Sequence, residues 1–447
     1  MRAYMRPMQR TVPLTRDLVL IGGGHSHALV LRMWGMNPLR GVRVTVINPL
    51  PTAAYSGMLP GFVAGHFTRE QLDIDLVRLA RFAGARVIIG SAEGIDTEKR
   101  EVRIAGQGPI SYDVVSVDVG ITSEMPALPG FPEHGIPAKP LAEFAAKWDA
   151  YRTTAKAPKV AVIGAGIAGA ELAMAMAHAL KDRSGKVTLI DKAAALPGMT
   201  NKARAKVLTA MAEAGVDLIE NAPIASVGAE GVRLEDGRRI EASFVTGAAG
   251  ARPHDWIAAS GLDLVDGYIA VGPTLRSSDP AIFATGDCAH MTHAPRPKAG
   301  VYAVRQAPIL YNNLRAALTE KGQMRPYRPQ RDYLKLVSLG RRSALADKFG
   351  TSVRGPLLWL WKDRIDRKFM AMLDDLPKMP VPSLPKEMAA GAVEALGDKP
   401  MCGGCGAKVG RGALRNALAS LPATTRKDIT PLPGDDAALL TTGGAQQ

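Results

Sequence analysis

Two segments of this chain place glycines where a backbone must turn sharply and lie against a phosphate. The first, Asp17-Leu-Val-Leu-Ile-Gly-Gly-Gly-His-Ser-His27, runs a short apolar strand into a glycine turn and then a helix. Gly22 and Gly24 allow the tight turn and the close approach to a pyrophosphate, which would rest on the helix N-terminus. His27 replaces the third glycine of the fingerprint, and the next strand, 42–47, ends at Asn48, where a ribose-binding acid is usual. A tight turn that binds nothing would carry the same signature.

The second segment, Lys159-Val-Ala-Val-Ile-Gly-Ala-Gly-Ile-Ala-Gly169, carries all three glycines, Gly164, Gly166 and Gly169. Its helix continues in small apolar residues, as close packing on a sheet requires. The following strand, 186–190, ends at Asp191, 22 residues past Gly169. An acid there accepts from a ribose 2′-hydroxyl and repels a 2′-phosphate, which favours NAD(H) over NADP(H). Lys192 weakens that preference without removing it.

The composition bounds what must hold these motifs. A chain of 447 residues with 47% hydrophobic residues can bury several cores, and its formal net charge is +14. Aromatic residues at 5% argue against a stacking platform for nucleic acid, and no nucleic-acid motif accompanies the charge. Three cysteines, Cys288, Cys402 and Cys405, exclude a disulfide scaffold and suit a reducing cytoplasm. No apolar run is long enough for a spanning helix, the basic start lacks a secretory signal, and no His/Cys cluster has metal-ligand spacing.

A third motif assigns the first two. Ala281-Ile-Phe-Ala-Thr-Gly-Asp-Cys-Ala289 reads as a buried strand ending in Gly286-Asp287. Together the three resemble the two-dinucleotide flavoproteins of the pyridine nucleotide–disulfide oxidoreductase superfamily. By that resemblance the first glycine unit and Asp287 bind FAD, the second binds NAD(H), and the NAD unit is an insertion. Segments 112–120 and 244–252 resemble the strands that close each unit. The dithiol of part of that superfamily is missing, and Cys288 alone reads as a packing residue. The branch without a dithiol is similar to type II NADH:quinone oxidoreductases. That likeness places Glu171 near nicotinamide and flavin, although an acid stabilised by the helix dipole reads equally well. It places Lys298 and a helix N-terminus at the flavin pyrimidine, where both would stabilise negative charge. Gln306 matches, less securely, a glutamine beside the quinone site. Tyr55-Ser-Gly-Met-Leu-Pro-Gly61 and the Gly-Gly-Gly-His-Ser-His run resemble the flavoprotein module fused ahead of selenide, water dikinase, and by that resemblance Ser56 and Met58, with Asn48, are expected at the cofactor. His25 could approach the flavin; a hydrogen-bonded structural histidine is the simpler reading.

Residues 295–372 hold 17 Lys/Arg against 5 Asp/Glu. Within them, 355–373 can form a helix with Leu358, Trp361, Ile365, Phe369 and Met372 at helical spacing and cations alongside. That is the pattern of an interfacial helix on an anionic membrane, or of a helix packed on the FAD domain or a second copy. Beyond a Pro-containing linker, 374–400, Cys405 and Lys408, then Asp435 and Asp436, resemble the reactive pair and the metal–phosphate acids that open a dikinase.

The expected architecture is α/β: two Rossmann-like domains, the FAD domain with the NAD domain inserted, plus a C-terminal helical and strand arm and a tail disordered in isolation. The expected boundaries are a basic extension 1–16, FAD domain 17–150 and 265–330, NAD domain 151–264, arm 331–373, linker 374–400 and a truncated dikinase-like segment 401–447. The expected activity is transfer of a hydride from NADH to FAD and of electrons to a small quinone-like acceptor. The alternative is a reductase or flavin-binding partner serving selenophosphate synthesis. The expected place is the cytoplasm, peripheral on the inner face of the membrane, with a second copy or a dikinase as partner.

Overall fold

The computed structural model describes residues 12–378, 429–431, 438–442 and 445–446. Its chain divides into two units, Met1–Pro377 and Lys378–Gln447. In the second, the short strands Ile429–Pro431, Ala438–Thr442 and Ala445–Gln446 pair antiparallel.

The first unit builds one plan twice. Strand Arg16–Ile21 lies between Val42–Asn48 and Val114–Val117, with Arg86–Ile89 and Ile282–Ala284 outermost, all parallel. Strand Lys159–Ile163 lies in the same way between Lys186–Ile190 and Phe244–Gly247, with Val216–Ile219 and Gly135–Pro137 outermost, again all parallel. Helices cover both faces of such sheets, which is why Leu18–Ile21 and Val160–Ile163 are unbroken apolar runs rather than alternating ones. In each copy a three-stranded antiparallel meander, 92–111 or 224–241, precedes the closing strand. Ile282–Ala284 completes the first sheet only after the chain has passed through the whole second sheet, so of the two Rossmann-like units within Met1–Pro377 the second is inserted in the first. Gly135–Pro137, within the stretch expected for the first domain, pairs into the second sheet.

Within Met1–Pro377 the two Rossmann-like units are held by shared elements. Trp148, fully buried on helix Leu141–Thr154, donates its indole N–H to the Val63 carbonyl at 3.0 Å and packs edge-on against Phe244. The arm adds an antiparallel sheet, Lys335–Ser338, Ala344–Lys348 and Thr351–Gly355. Its turn at Gly340 lies so close to helix Ile167–Leu180 that a β-carbon there would overlap the Met174 carbonyl, and φ is +77°. From the other unit, His66 Nε2 lies 2.9 Å from the Gly340 carbonyl.

The arm ends in helix Pro356–Asp374, with Gly355 as its cap and Pro at the first position. The helix forms as the spacing predicts, but turned. Its buried face carries Trp359, Asp366, Phe369, Met370 and Leu373, while Trp361 and Ile365 are 48% and 42% exposed. The reason is a polar anchor that apolar periodicity does not count. Asp366 points inward, accepting from the Tyr55 hydroxyl at 3.1 Å and from Lys362 at 2.6 Å.

Candidate functional site

At the first glycine turn, Gly22 holds φ at +92°, and a β-carbon there would overlap the Asp118 carbonyl. Helix His25–Met36 starts at Gly24, so its first N–H groups point at the turn. The Asp118 carboxylate sits on them, accepting from Ser26 N–H at 2.9 Å and His27 N–H at 3.1 Å. Its other oxygen lies against Gly286. Asp118 is 3% exposed, and burial pushes its pKa up to about 7, with the neighbouring Asp287 adding to the rise.

His27 explains how a turn without a third glycine closes. Its Nδ1 lies 2.8 Å from the Gly22 carbonyl, which can only accept, so Nε2 accepts from the Ser116 hydroxyl at 2.8 Å. At the same offset in the second unit, Gly169 approaches the Gly164 carbonyl so closely that no side chain would fit. The imidazole thus replaces a close approach with a hydrogen bond. Burial lowers its pKa to about 4, keeping the ring neutral.

The second turn repeats the first with the cradle open. Gly164 has φ +101°, and nothing stands within 4 Å of a β-carbon built on Gly166. Asp191 braces this turn, accepting from Ala165 N–H at 2.6 Å and Ala193 N–H at 2.9 Å. Asn48 does the same in the first unit, accepting from Gly23 N–H at 2.9 Å and donating to the Leu50 carbonyl.

The Gly286–Asp287 turn packs against the first glycine turn. Gly286 N–H donates to the Gln306 side chain at 2.8 Å, so Gln306, 1% exposed, fastens this turn. Asp287 pairs with Lys139 at 3.5 Å. Cys288 is buried, its thiol donates to the Thr285 carbonyl, and burial pushes its pKa up to about 12, which leaves it a poor nucleophile. The Thr285 hydroxyl is buried without a hydrogen-bond partner, and the space around Gly120 is open. An unpaired hydroxyl and an open cradle suit a bound polar cofactor at the first unit; the cradle at Gly166 suits a diphosphate at the second. The Asp118 carboxylate beside Gly24, with Asp287 near it, stands against an anion.

Glu171 and Lys298 take different places. Glu171 accepts from Ser338 N–H of the arm at 2.7 Å. Burial pushes its pKa up to about 7, partly offset by Lys362. It thereby adjoins a group in which Lys362 bridges Asp366 and the Gly57 carbonyl, both at 2.6 Å. Burial raises the pKa values of Tyr55 and Asp366 as well. Lys298 donates to the Ala289 carbonyl at 2.6 Å with its ammonium 3.7 Å from the Tyr268 ring centroid, and burial lowers its pKa. His25 lies edge-on to Tyr55 and Phe369 and beside Gly300, where helix Gly300–Thr319 begins; burial lowers its pKa to about 4. Ser56 is exposed near that helix start, whereas Met58 is 1% exposed and belongs to the core.

The structure thus brings together Gly22, Gly24, Asn48, Gly286 and Asp287 at one turn, and Gly164, Gly166, Gly169 and Asp191 at the other. Cys405, Lys408, Asp435 and Asp436 lie outside the described residues. Sequence reasoning missed Asp118 and the inward Tyr55–Asp366–Lys362 group. The signal for Asp118 was an acid ending an apolar strand, where the second copy has Ala248.

The sequence model of the family described as pyridine nucleotide-disulphide oxidoreductase matches residues 16–307. The chain is 25% identical over 365 residues to the NADH dehydrogenase-like protein YutJ of Bacillus subtilis (strain 168), covering 78% of this chain and 99% of that protein. It is 35% identical over 205 residues to the nitric oxide reductase FlRd-NAD(+) reductase of Aeromonas hydrophila, covering 44% of this chain and about half (50%) of that protein. Among solved structures, the sulfide:quinone oxidoreductase of Aquifex aeolicus superposes with TM-score 0.65 at 18% identity, over 81% of this chain and 92% of that one. The water-forming NADH oxidase of Lactobacillus brevis, bound to NADH, superposes with TM-score 0.62 at 23% identity, over 74% and 75%. These two likenesses establish the fold.

Two outcomes follow from the geometry. In Gly166→Ala the methyl enters open space, so the melting temperature should hold while NADH binding, followed by fluorescence titration, weakens at least about tenfold, or ~1.4 kcal/mol; equal affinity would show that the cradle is not used. Neutral Glu171 contributes stability that is complete below its unfolded value of 4.5 and is lost as pH rises through about 7. Thermal melts of Glu171→Gln across that window should therefore fall less steeply with pH than those of the parent.

Proposed function

Because this chain belongs to the pyridine nucleotide-disulphide oxidoreductase family, we propose that it is an FAD-dependent NADH oxidoreductase that works without a protein disulfide and delivers electrons to a small quinone-like acceptor. One observation carries the reading: a single fold presents two glycine turns of the same design, and the one cysteine beside them is a buried, unreactive thiol.

FAD, when bound, supplies the group that accepts a hydride and passes electrons on. The chain's own residues do the rest. The turn at Gly22–Gly24, Thr285 and Asp287 would hold FAD; the cradle at Gly166 would hold the NADH diphosphate, and Asp191 would face its ribose. Holding two rings in one orientation removes much of the entropic barrier to hydride transfer. Glu171, beside Lys362 and Asp366 and with a pKa near neutral, is suited to give and take the protons that reduction of a quinone-like acceptor consumes. Lys298, tied to Ala289, would act through its charge.

A second reading concerns place. No helix among the described residues is long and apolar enough to cross a membrane. Leu357, Leu360, Trp361 and Ile365 are nevertheless exposed along one face of helix Pro356–Asp374, with Val353 exposed on the preceding strand and Phe349 in the turn before it. Arg364 and Lys368 are exposed on the same helix. This face would lie on an anionic lipid surface. Service to selenophosphate synthesis rests on motif likeness alone, chiefly within residues 401–447.

Anaerobic titration of the purified protein with NADH tests the first reading: visible flavin absorbance should bleach stoichiometrically, and a colourless protein that FAD cannot reconstitute would sink it. Flotation with vesicles tests the second. The chain should rise with phosphatidylglycerol-containing vesicles and not with phosphatidylcholine alone, and Trp361→Ala should weaken the association; equal flotation of that variant would remove the helix from the interaction.

A further inference from the structure

The repeated design supplies its own control. After the strand Val114–Val117 comes Asp118, whose N–H donates to the Ile21 carbonyl at 2.8 Å. After the matching strand Phe244–Gly247 comes Ala248, whose N–H donates to the Ile163 carbonyl at 2.8 Å. The two residues are therefore equivalent, one at each glycine turn. In the NAD unit the second glycine, Gly166, faces open space. In the FAD unit the second glycine, Gly24, faces the Asp118 carboxylate. That carboxylate accepts from two of the first-turn N–H groups on which a diphosphate would rest. An internal anion thus holds the place that the sister unit keeps open for an external one.

We propose that the Asp118 carboxylate and the FAD diphosphate compete for one seat at the start of helix His25–Met36, so that FAD binds with uptake of one proton at Asp118. The inference rests on the FAD reading above. Among the described residues no lysine or arginine is paired with Asp118 to offset two anions there. From the helix, His27 meets Asp118 through its backbone N–H while its ring bonds to Gly22 and Ser116, and burial keeps both the His25 and the His27 rings neutral. From the neighbouring turn come Asp287, already paired with Lys139, and the Cys288 thiol. Lys298 approaches only as far as the Ala289 carbonyl. From its own strand, Ser116 is engaged by His27. Neutralising the carboxylate removes the repulsion and lets its hydroxyl donate to a phosphate oxygen. Since burial pushes the Asp118 pKa up to about 7, the linkage falls within an accessible range.

The experiment titrates the deflavinated full chain with FAD, following flavin fluorescence across neutral to alkaline pH, and measures proton uptake calorimetrically in two buffers of different ionisation heat. Above the Asp118 titration, the parent should take up about one proton, and its Kd should weaken about tenfold per pH unit. Asp118→Asn retains an oxygen for the two N–H groups; it should bind FAD with no uptake and more tightly than the parent at alkaline pH. Asp118→Ala should also lose the uptake, and unchanged NADH affinity reports that either variant is folded. Parent binding without proton uptake, or equal uptake in Asp118→Asn, overturns the inference while leaving the FAD reading intact. Failure to bind FAD at any pH overturns both.

Discussion

The arrangement depends on a backbone contact made twice. In each unit the residue after the closing strand donates its N–H to the last carbonyl of the central strand, Ile21 or Ile163. This contact draws the closing strand's exit against the glycine turn, and it is why Gly22 and Gly164 must be glycine: their β-carbons would strike Asp118 and Ala249. Once it is made, the helix that follows can only begin at the turn, with its free N–H groups aimed at the same point. Whatever side chain follows the closing strand is therefore placed at the site, by backbone geometry rather than by choice of rotamer.

That placement makes the third position of each motif instructive. A glycine there lets the helix lie on the turn, as Gly169 does. A histidine requires the helix to stand off, and His27 fills the resulting gap with hydrogen bonds to Gly22 and Ser116. A buried imidazole without partners would cost several kcal/mol; with both nitrogens satisfied it stays neutral. The departure from the glycine pattern is thus a change in how the turn is braced. It does not change the plan of the fold.

The two-sheet plan was legible because its signals are local: an apolar strand, a glycine turn and a small-residue helix leave the same trace wherever they occur. The insertion was legible only through the Gly286-Asp287 motif, which marks the chain's return to the first sheet. Asp118 was not, because an acid at the end of an apolar run reads as a strand terminus until the turn from residue 22 is laid against it. The facing of helix Pro356–Asp374 was hidden for a related reason. Apolar spacing predicts the buried face of a helix only when burial is driven by apolar residues, and here Asp366 is drawn inward by Tyr55 and Lys362.

The arm is the part of the molecule that neither nucleotide-binding plan requires, yet it fixes the relation between them. Ser338 holds Glu171 on the NAD helix, Gly340 lies on the Met174 carbonyl of that same helix, and His66 of the other unit reaches the Gly340 carbonyl. Lys362 then bonds to Gly57 beside the first turn. A reaction that passes a hydride between two separately bound rings is sensitive to misplacement on the order of 1 Å. A hinge between two Rossmann units would not supply that accuracy. A third element bonded to both units does, and in doing so it carries Lys362 and Asp366 to Glu171. The groups that tie the arm to both Rossmann-like domains are therefore also the groups that adjoin Glu171, so a change in the arm should alter the surroundings of Glu171 and the domain geometry together.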